Sequence, residues 1–338
     1  MSAWLDSSRM MLFVPDPLKP PYLRLRGGLA LGPAMSLLNP HVRPSFSGHE
    51  SFAVRYGWLK KGFDAIVENP TILGSDEAMV ALGVGKNMVR AIRHWGIAFR
   101  VWEASGAARG ATLQPTDLGR RLLRDGGWDP FVDEIGTVWL LHAWLVGEPE
   151  HATTAWYLFA RPRVGAFKKG EIVDELQKLG AEVEGGRVTA HTTIERDFDV
   201  AIQLFAHERS TDADADAALD SPLTALELIH ETRDTGSYAL SLGAQPSLPD
   251  GIFSAYFLRW LGRAARVAVP FDDVRLSAGS PGRVFRLSEN ALMDRLTALV
   301  RWVPAIQFDE TAGIRQLLIR GDLPSEADVL ARHYAGAV

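Results

Sequence analysis

A chain of 338 residues, 47% apolar and 23% charged, is long enough for two or three domains with cores of their own. The absence of cysteine excludes disulfides, thiolate zinc sites, iron–sulfur clusters and any sulfur relay through this chain. A net charge of -5 argues against a uniformly basic coat for nucleic acid, yet basic residues outnumber acidic ones between Pro40 and Asp125.

Residues 1–34 carry Pro15, Pro17, Pro20, Pro21 and Pro33 with little periodicity. Residues 1–44 therefore read as a disordered or extended leader, with Met35 as a candidate start. The apolar run Met10–Val14 is cut short by Asp16 and prolines, so it does not make a signal peptide. No apolar stretch nears the roughly 18 residues of a membrane span. No membrane partner is expected, and the expected location is cytoplasmic.

The periodicity of residues 45–150 predicts a winged helix domain. Arg55 to Ile66 is an amphipathic helix with Trp58, Leu59, Phe63 and Ile66 on one face. Ser75 is expected to cap the next helix, with Asp76 and Glu77 in its first turn and Gly83 at its end. Gly85-Lys86-Asn87 opens another helix running to about Trp95. Phe99–Trp102 then reads as a strand, Ser105–Gly110 as a hairpin tip, Ala111–Leu113 as the return strand, and Pro115-Thr116 as the start of a helix through Leu123. Asp129 to Val146, rich in Phe, Trp and Leu, is expected to be one long buried helix.

A helical middle region, 151–210, should hold two helices, with Thr192 and Glu195 at the capping-box spacing. Asp212, Asp214, Asp216 and Asp220 mark 211–221 as an acidic linker. In the remaining region, 222–338, Pro222–Glu231, Gly251–Ala264 and Glu289–Val300 read as helices. Ser280-Pro281-Gly282-Arg283 reads there as a turn into a strand, Val284–Leu287, which suggests a smaller winged-helix-like domain. The expected fold class is thus mainly α with small β wings, α+β.

Gly83, Val89 and Ile92 have the spacing of a helix-turn-helix, in which a left-handed glycine lets the second helix cross the first and two apolar residues hold it there. The outward face of that second helix offers Lys86, Asn87, Arg90, Arg93 and His94 to double-stranded DNA. Arg55, Lys60, Lys61 and the hairpin-tip Arg109 complete the expected DNA contacts. The other chemical candidate is Phe46-Ser47-Gly48-His49-Glu50-Ser51-Phe52, where His49 and Glu50 combine a proton carrier with a carboxylate near cations. A bland reading has the same pair tethering the first helix. Asp197 and Asp199 sit at i and i+2, which do not share a helix face, so salt bridging is their expected use. Gly83-Val84-Gly85-Lys86 lacks the earlier glycine of a phosphate loop, and Asn87 stands where its Ser or Thr should be, so no nucleotide is expected. No nuclease signature is present.

Three segments together carry a resemblance. They are Phe46–Phe52 running into Tyr56–Gly62, Leu82–Arg90, and Ser280–Leu287. Over about Ser45 to Arg320 the chain resembles the SspB family, components of single-strand DNA phosphorothioation systems in anti-phage defence. The resemblance implies a DNA-nicking endonuclease working with a cysteine desulfurase, an ATPase and an ATP-pyrophosphatase, with Mg2+ or Mn2+ as candidate cofactor and no identified metal ligands. His49 and Glu50 are the residues chosen for the nicking chemistry. Two alternatives stay open: a non-enzymatic DNA-binding scaffold of the same complex, and a winged helix transcription regulator.

Overall fold

The computed structural model describes residues 43–105, 112–161, 165–182, 189–206, 221–234, 236–262, 267–311 and 313–336. Most of the expected leader, Arg109 with its hairpin tip, and the acidic run from Asp212 to Asp220 lie outside the described residues. The fold is α+β, helices with small antiparallel sheets.

The N-terminal elements follow the glycines. Helix α1 (Trp58–Glu68) begins three residues later than the expected Arg55, because Gly57 takes a left-handed φ of 77° that no helix can include. Ser75 does not cap a helix. Its hydroxyl donates to the Ile72 carbonyl, closing a 3-10 turn (Ile72–Gly74) ahead of α2 (Ala78–Leu82). Gly83 follows at φ 65°; its N–H donates to Val80 and that of Val84 to Met79, a Schellman closure of α2. Helix α3 (Lys86–Ala98) runs three residues past the expected end, to the start of the segment expected as a strand. Strands β1 (Trp102–Ser105) and β2 (Thr112–Pro115) pair antiparallel, and α4 (Asp117–Leu123) starts at Thr116, whose hydroxyl accepts from the Gly119 N–H.

The centre is α5 (Ile135–Val146), buried from Gly136 to Val146 on every face, as a helix apolar all round must be. It is shorter than expected. The Asp129 carboxylate accepts from the N–H groups of Asp133 and Glu134, and Val132 takes φ 60°, so residues 129–134 form a folded turn instead. The polar tips of three α5 side chains find partners: Trp139 donates to Ser247, His142 to the Val284 carbonyl at 2.8 Å, and Trp144 to Glu326. Helix α6 (Thr153–Ala160), strand β3 (Phe167–Lys168), α7 (Lys169–Ala181) and α8 (His191–Phe205) follow. The expected capping box at Thr192 is not formed, since α8 already begins at His191 after Ala190.

Pro222–Leu226 is a 3-10 turn capped by Ser221, not a helix, and Glu227 at φ 50° redirects the chain into β4 (Ile229–Glu231). With β5 (Ser237–Leu240) this strand joins β3 in the order β3-β5-β4. Next come α9 (Asp250–Leu261), β6 (Ala268–Pro270), α10 (Phe271–Leu276) and α11 (Pro281–Val284). The strand expected over 284–287 is absent. Ser280-Pro281 opens a helical turn in its place, with Pro281 at the first helical position, where its missing N–H costs nothing. A Cβ on Gly282 would lie 2.7 Å from the Arg275 carbonyl, so α11 packs on α10 only as glycine. Helix α12 (Glu289–Trp302), strands β7 (Ile306–Thr311) and β8 (Ile314–Ile319) and α13 (Glu326–Tyr334) complete the chain, with sheet order β6-β8-β7.

Candidate nucleic-acid interface

Helix α3 turns Val89, Ile92 and Trp95 into the core, at 4%, 0% and 1% exposure, which fixes the face left outside. Lys86, Asn87 and Arg90 are exposed on it or near its edge, and Arg93 is half-buried. The cations are only loosely held. Lys86 reaches Asp76 at 3.2 Å and Arg90 reaches Glu50 at 3.4 Å, both on the solvent side. Exposed pairs of this kind contribute about 0–1 kcal/mol each, so a phosphate can replace either carboxylate at little cost.

The other predicted cations are placed unequally. Lys61 is exposed, and Arg55 lies over the Trp58 ring at 5.7 Å. Lys60 is buried and donates to both Asp64 and Asp125. Burial lowers its pKa, but the hydrogen bonds and charges of the two carboxylates outweigh this, and the net shift is upward. His94 turns away from the exposed cations and packs edge-on against Trp95 and His49.

Beneath α3 lies the segment singled out for chemistry. Ser47, Gly48, Glu50 and Ser51 all take left-handed φ, from 50° to 90°, a costly run for three residues that are not glycine. Its ties explain how it persists. Asp197 of α8 accepts from the Ser47 N–H at 2.7 Å and from His49 Nε2 at 2.7 Å. The Ser51 N–H donates to His49 Nδ1 at 3.2 Å, and the Trp95 indole donates to the Phe52 carbonyl. These bonds assign the tautomer: Nδ1 accepts, so Nε2 carries the proton and donates its hydrogen bond to Asp197. A Cβ on Gly48 would sit 2.7 Å from His94 Nδ1, and its φ of 90° suits glycine alone. No signal in the sequence marks Asp197 as the partner of His49, because 148 residues separate them and no local pattern joins them.

The result is a small pocket lined by His49, His94, His151 and Asp197. Burial above all pushes His94 down to about 3, with the neighbouring Asp197 carboxylate opposing. His151 is lowered too, by burial and then by Arg100. Both imidazoles are therefore neutral near pH 7, and His94 Nε2 is buried without a hydrogen-bond partner. Chemically, the pocket offers a buried imidazole nitrogen without a hydrogen-bond partner, His94 Nε2, beside the bonded pair His49–Asp197. Glu50 does not enter it; its carboxylate faces Arg90.

Residues 46–334 match a family described as a protein of unknown function, DUF4007. A crystal structure of SspB and a magnesium-ion-bound crystal structure of SspB both align with a TM-score of 0.78 and 28% identity, covering 87% of this chain and 88% of theirs. No curated protein matches. Among the described residues no three His, Asp or Glu side chains stand where they could hold a metal ion together. Magnesium prefers oxygen ligands, and the histidine pocket supplies a single carboxylate, Asp197, whose Oδ1 accepts two hydrogen bonds. No helix among the described residues is long and apolar enough to cross a membrane.

Proposed function

From the premise that the chain belongs to the DUF4007 family, and from its likeness to SspB, we propose that it is a DNA-binding component of a DNA phosphorothioation and anti-phage defence system. One observation carries the DNA reading: Lys86 and Arg90 project from a helix set by the Gly83 turn and are restrained only by carboxylates on the solvent side. In this reading residues 45–150 form a winged helix, with α3 against the DNA and the β1–β2 hairpin as its wing; residues 222–338 form a second, smaller module. Double-stranded DNA is the direct partner. A cysteine desulfurase, an ATPase and an ATP-pyrophosphatase supply the sulfur chemistry that a cysteine-free chain cannot carry.

Each cation that neutralises a phosphate adds roughly 0.9 to the slope of log affinity against log salt. Lys86→Ala with Arg90→Ala should therefore reduce that slope by about 2 in a gel-shift titration. An unchanged slope would remove α3 from the interface.

A second reading, single-strand nicking, is favoured by the unpartnered His94 nitrogen in the pocket beneath α3. It is tested on supercoiled plasmid with magnesium or manganese and with EDTA. Open circles that vanish with EDTA and slow on His49→Ala or Glu50→Ala support it. Intact plasmid, with binding retained in the presence of the partner enzymes, leaves the scaffold role.

A further inference from the structure

The segment Ser280–Leu287 takes no part in the DNA reading, yet it carries an electrostatic problem. Two of its arginines, Arg283 and Arg286, stand beside Arg161, which follows α6. Arg161 and Arg286 are each only 3% exposed. Arg161 is partly compensated, with Glu171 at 3.5 Å, Glu175 at 3.8 Å and the Phe167 ring beside it. Arg283 spends its donors on two carbonyls, Arg161 at 2.9 Å and Leu276 at 3.2 Å.

Arg286 differs from both. Among the described residues its guanidinium makes no ion pair and no hydrogen bond, and its Nε is buried without a partner. The backbone beneath it is firmly set: φ is 51°, and its carbonyl accepts from the Gly243 N–H at 3.0 Å and the Gln245 amide at 3.4 Å. A buried charge with no counter-ion costs several kcal/mol, and a guanidinium cannot escape by losing its proton near neutral pH. A ligand of opposite charge would compensate such a group. The planar fork of arginine matches tetrahedral oxyanions two bonds at a time.

We propose that Arg161, Arg283 and Arg286 form a binding site for a phosphate-class oxyanion. Burial, and then the charges of Arg283 and Arg161, push the Arg286 guanidinium down to about 10, still protonated near pH 7. Arg283 is half-buried and forms the solvent side of the cluster. Because Arg161 and Arg286 are buried, the anion is free or terminal; a phosphate in mid-duplex cannot reach them. The site is built from α6 and α11 and is independent of α3 and the DNA reading.

The test uses the full chain at constant ionic strength, with chloride exchanged for inorganic phosphate. Calorimetric titration should show saturable binding. At about 100 times the dissociation constant, the melting temperature should rise by roughly 3–6 °C. Arg286→Gln should weaken binding at least tenfold, and in chloride should be as stable as the parent or more so, having lost an uncompensated charge. Arg283→Gln, at the solvent side, should weaken binding as well and keeps the test open if Arg286→Gln does not fold. Adenosine monophosphate and a 5′-phosphorylated oligonucleotide, titrated alongside, distinguish a nucleotide or DNA terminus from free phosphate as the source. Absence of saturable phosphate binding by the parent, or binding by Arg286→Gln or Arg283→Gln equal to that of the parent, overturns the site.

Discussion

Two groups of cations in this molecule are solvated in opposite ways. On α3, Lys86 and Arg90 lie in water and have carboxylates within reach, Asp76 and Glu50, that contribute little. Around α11, Arg286 is buried and has no carboxylate among the described residues. The first arrangement suits a long, shifting polyanion whose phosphates exchange with solvent ions. The second suits one small anion held still. The buried histidines supply the control for this contrast, since an imidazole, unlike a guanidinium, can drop its charge when it is buried.

That control gives the largest expected effect. Burial pushes His142 down to about 4 while its Nε2–H donates to Val284. A histidine whose folded pKa lies below its unfolded value of about 6.5 stabilises the fold above that pH and loses the contribution as pH falls. Chemical denaturation between pH 7 and pH 4 should lose roughly 3 kcal/mol from His142 alone, with His94 adding in the same direction. His142→Phe should flatten that slope. An unaltered pH profile in that variant would mean that other groups carry the acid sensitivity.

Next in size is Asp197→Ala, which leaves the buried His49 Nε2–H and the Ser47 N–H without an acceptor. Stranded donors of this kind cost about 1–3 kcal/mol each, and the left-handed run from Ser47 to Ser51 should loosen with them. Denaturant titration reads the stability, and hydrogen exchange at Phe52 reads the loosening. A change below about 0.5 kcal/mol would show that the segment is held by its other contacts.

The smallest stability effect belongs to α3. Lys86→Ala and Arg90→Ala should each shift stability by less than about 1 kcal/mol while changing the salt dependence of DNA binding. A large stability loss there would contradict the loose pairing. Lys60→Ala is its counterpart: with a buried ammonium bonded to Asp64 and Asp125, it should perturb the fold more than the DNA affinity.

What could be read from the chain was local in nature. Gly83 followed by Val89 and Ile92 specified a turn and a seated helix, because positive φ and helical spacing are properties of a few adjacent residues. The helix starts at Pro115-Thr116 and at Glu289 were legible for the same reason. Errors gathered where a local signal was outvoted. Asp129 diverted the start of a long apolar helix into a turn. Glu227 cut a helix short. Pro281 opened a helix where turn residues suggested a strand. The hairpin β7–β8 and the order β6-β8-β7 were not foreseen, since short strands in mixed sequence give little periodicity.

The site divides along the same line. The sequence by itself determined that the chain lacks sulfur chemistry, that α3 would carry cations outward, and that His49 sits in an unusual segment. Only the tertiary structure decided that His49 is bonded to Asp197, that Lys60 is spent inside the fold, and that Arg161 lies beside Arg283 and Arg286. Charge and hydrogen bonding depend on distance through space and on burial, and neither is encoded in separations of more than 100 residues along the chain.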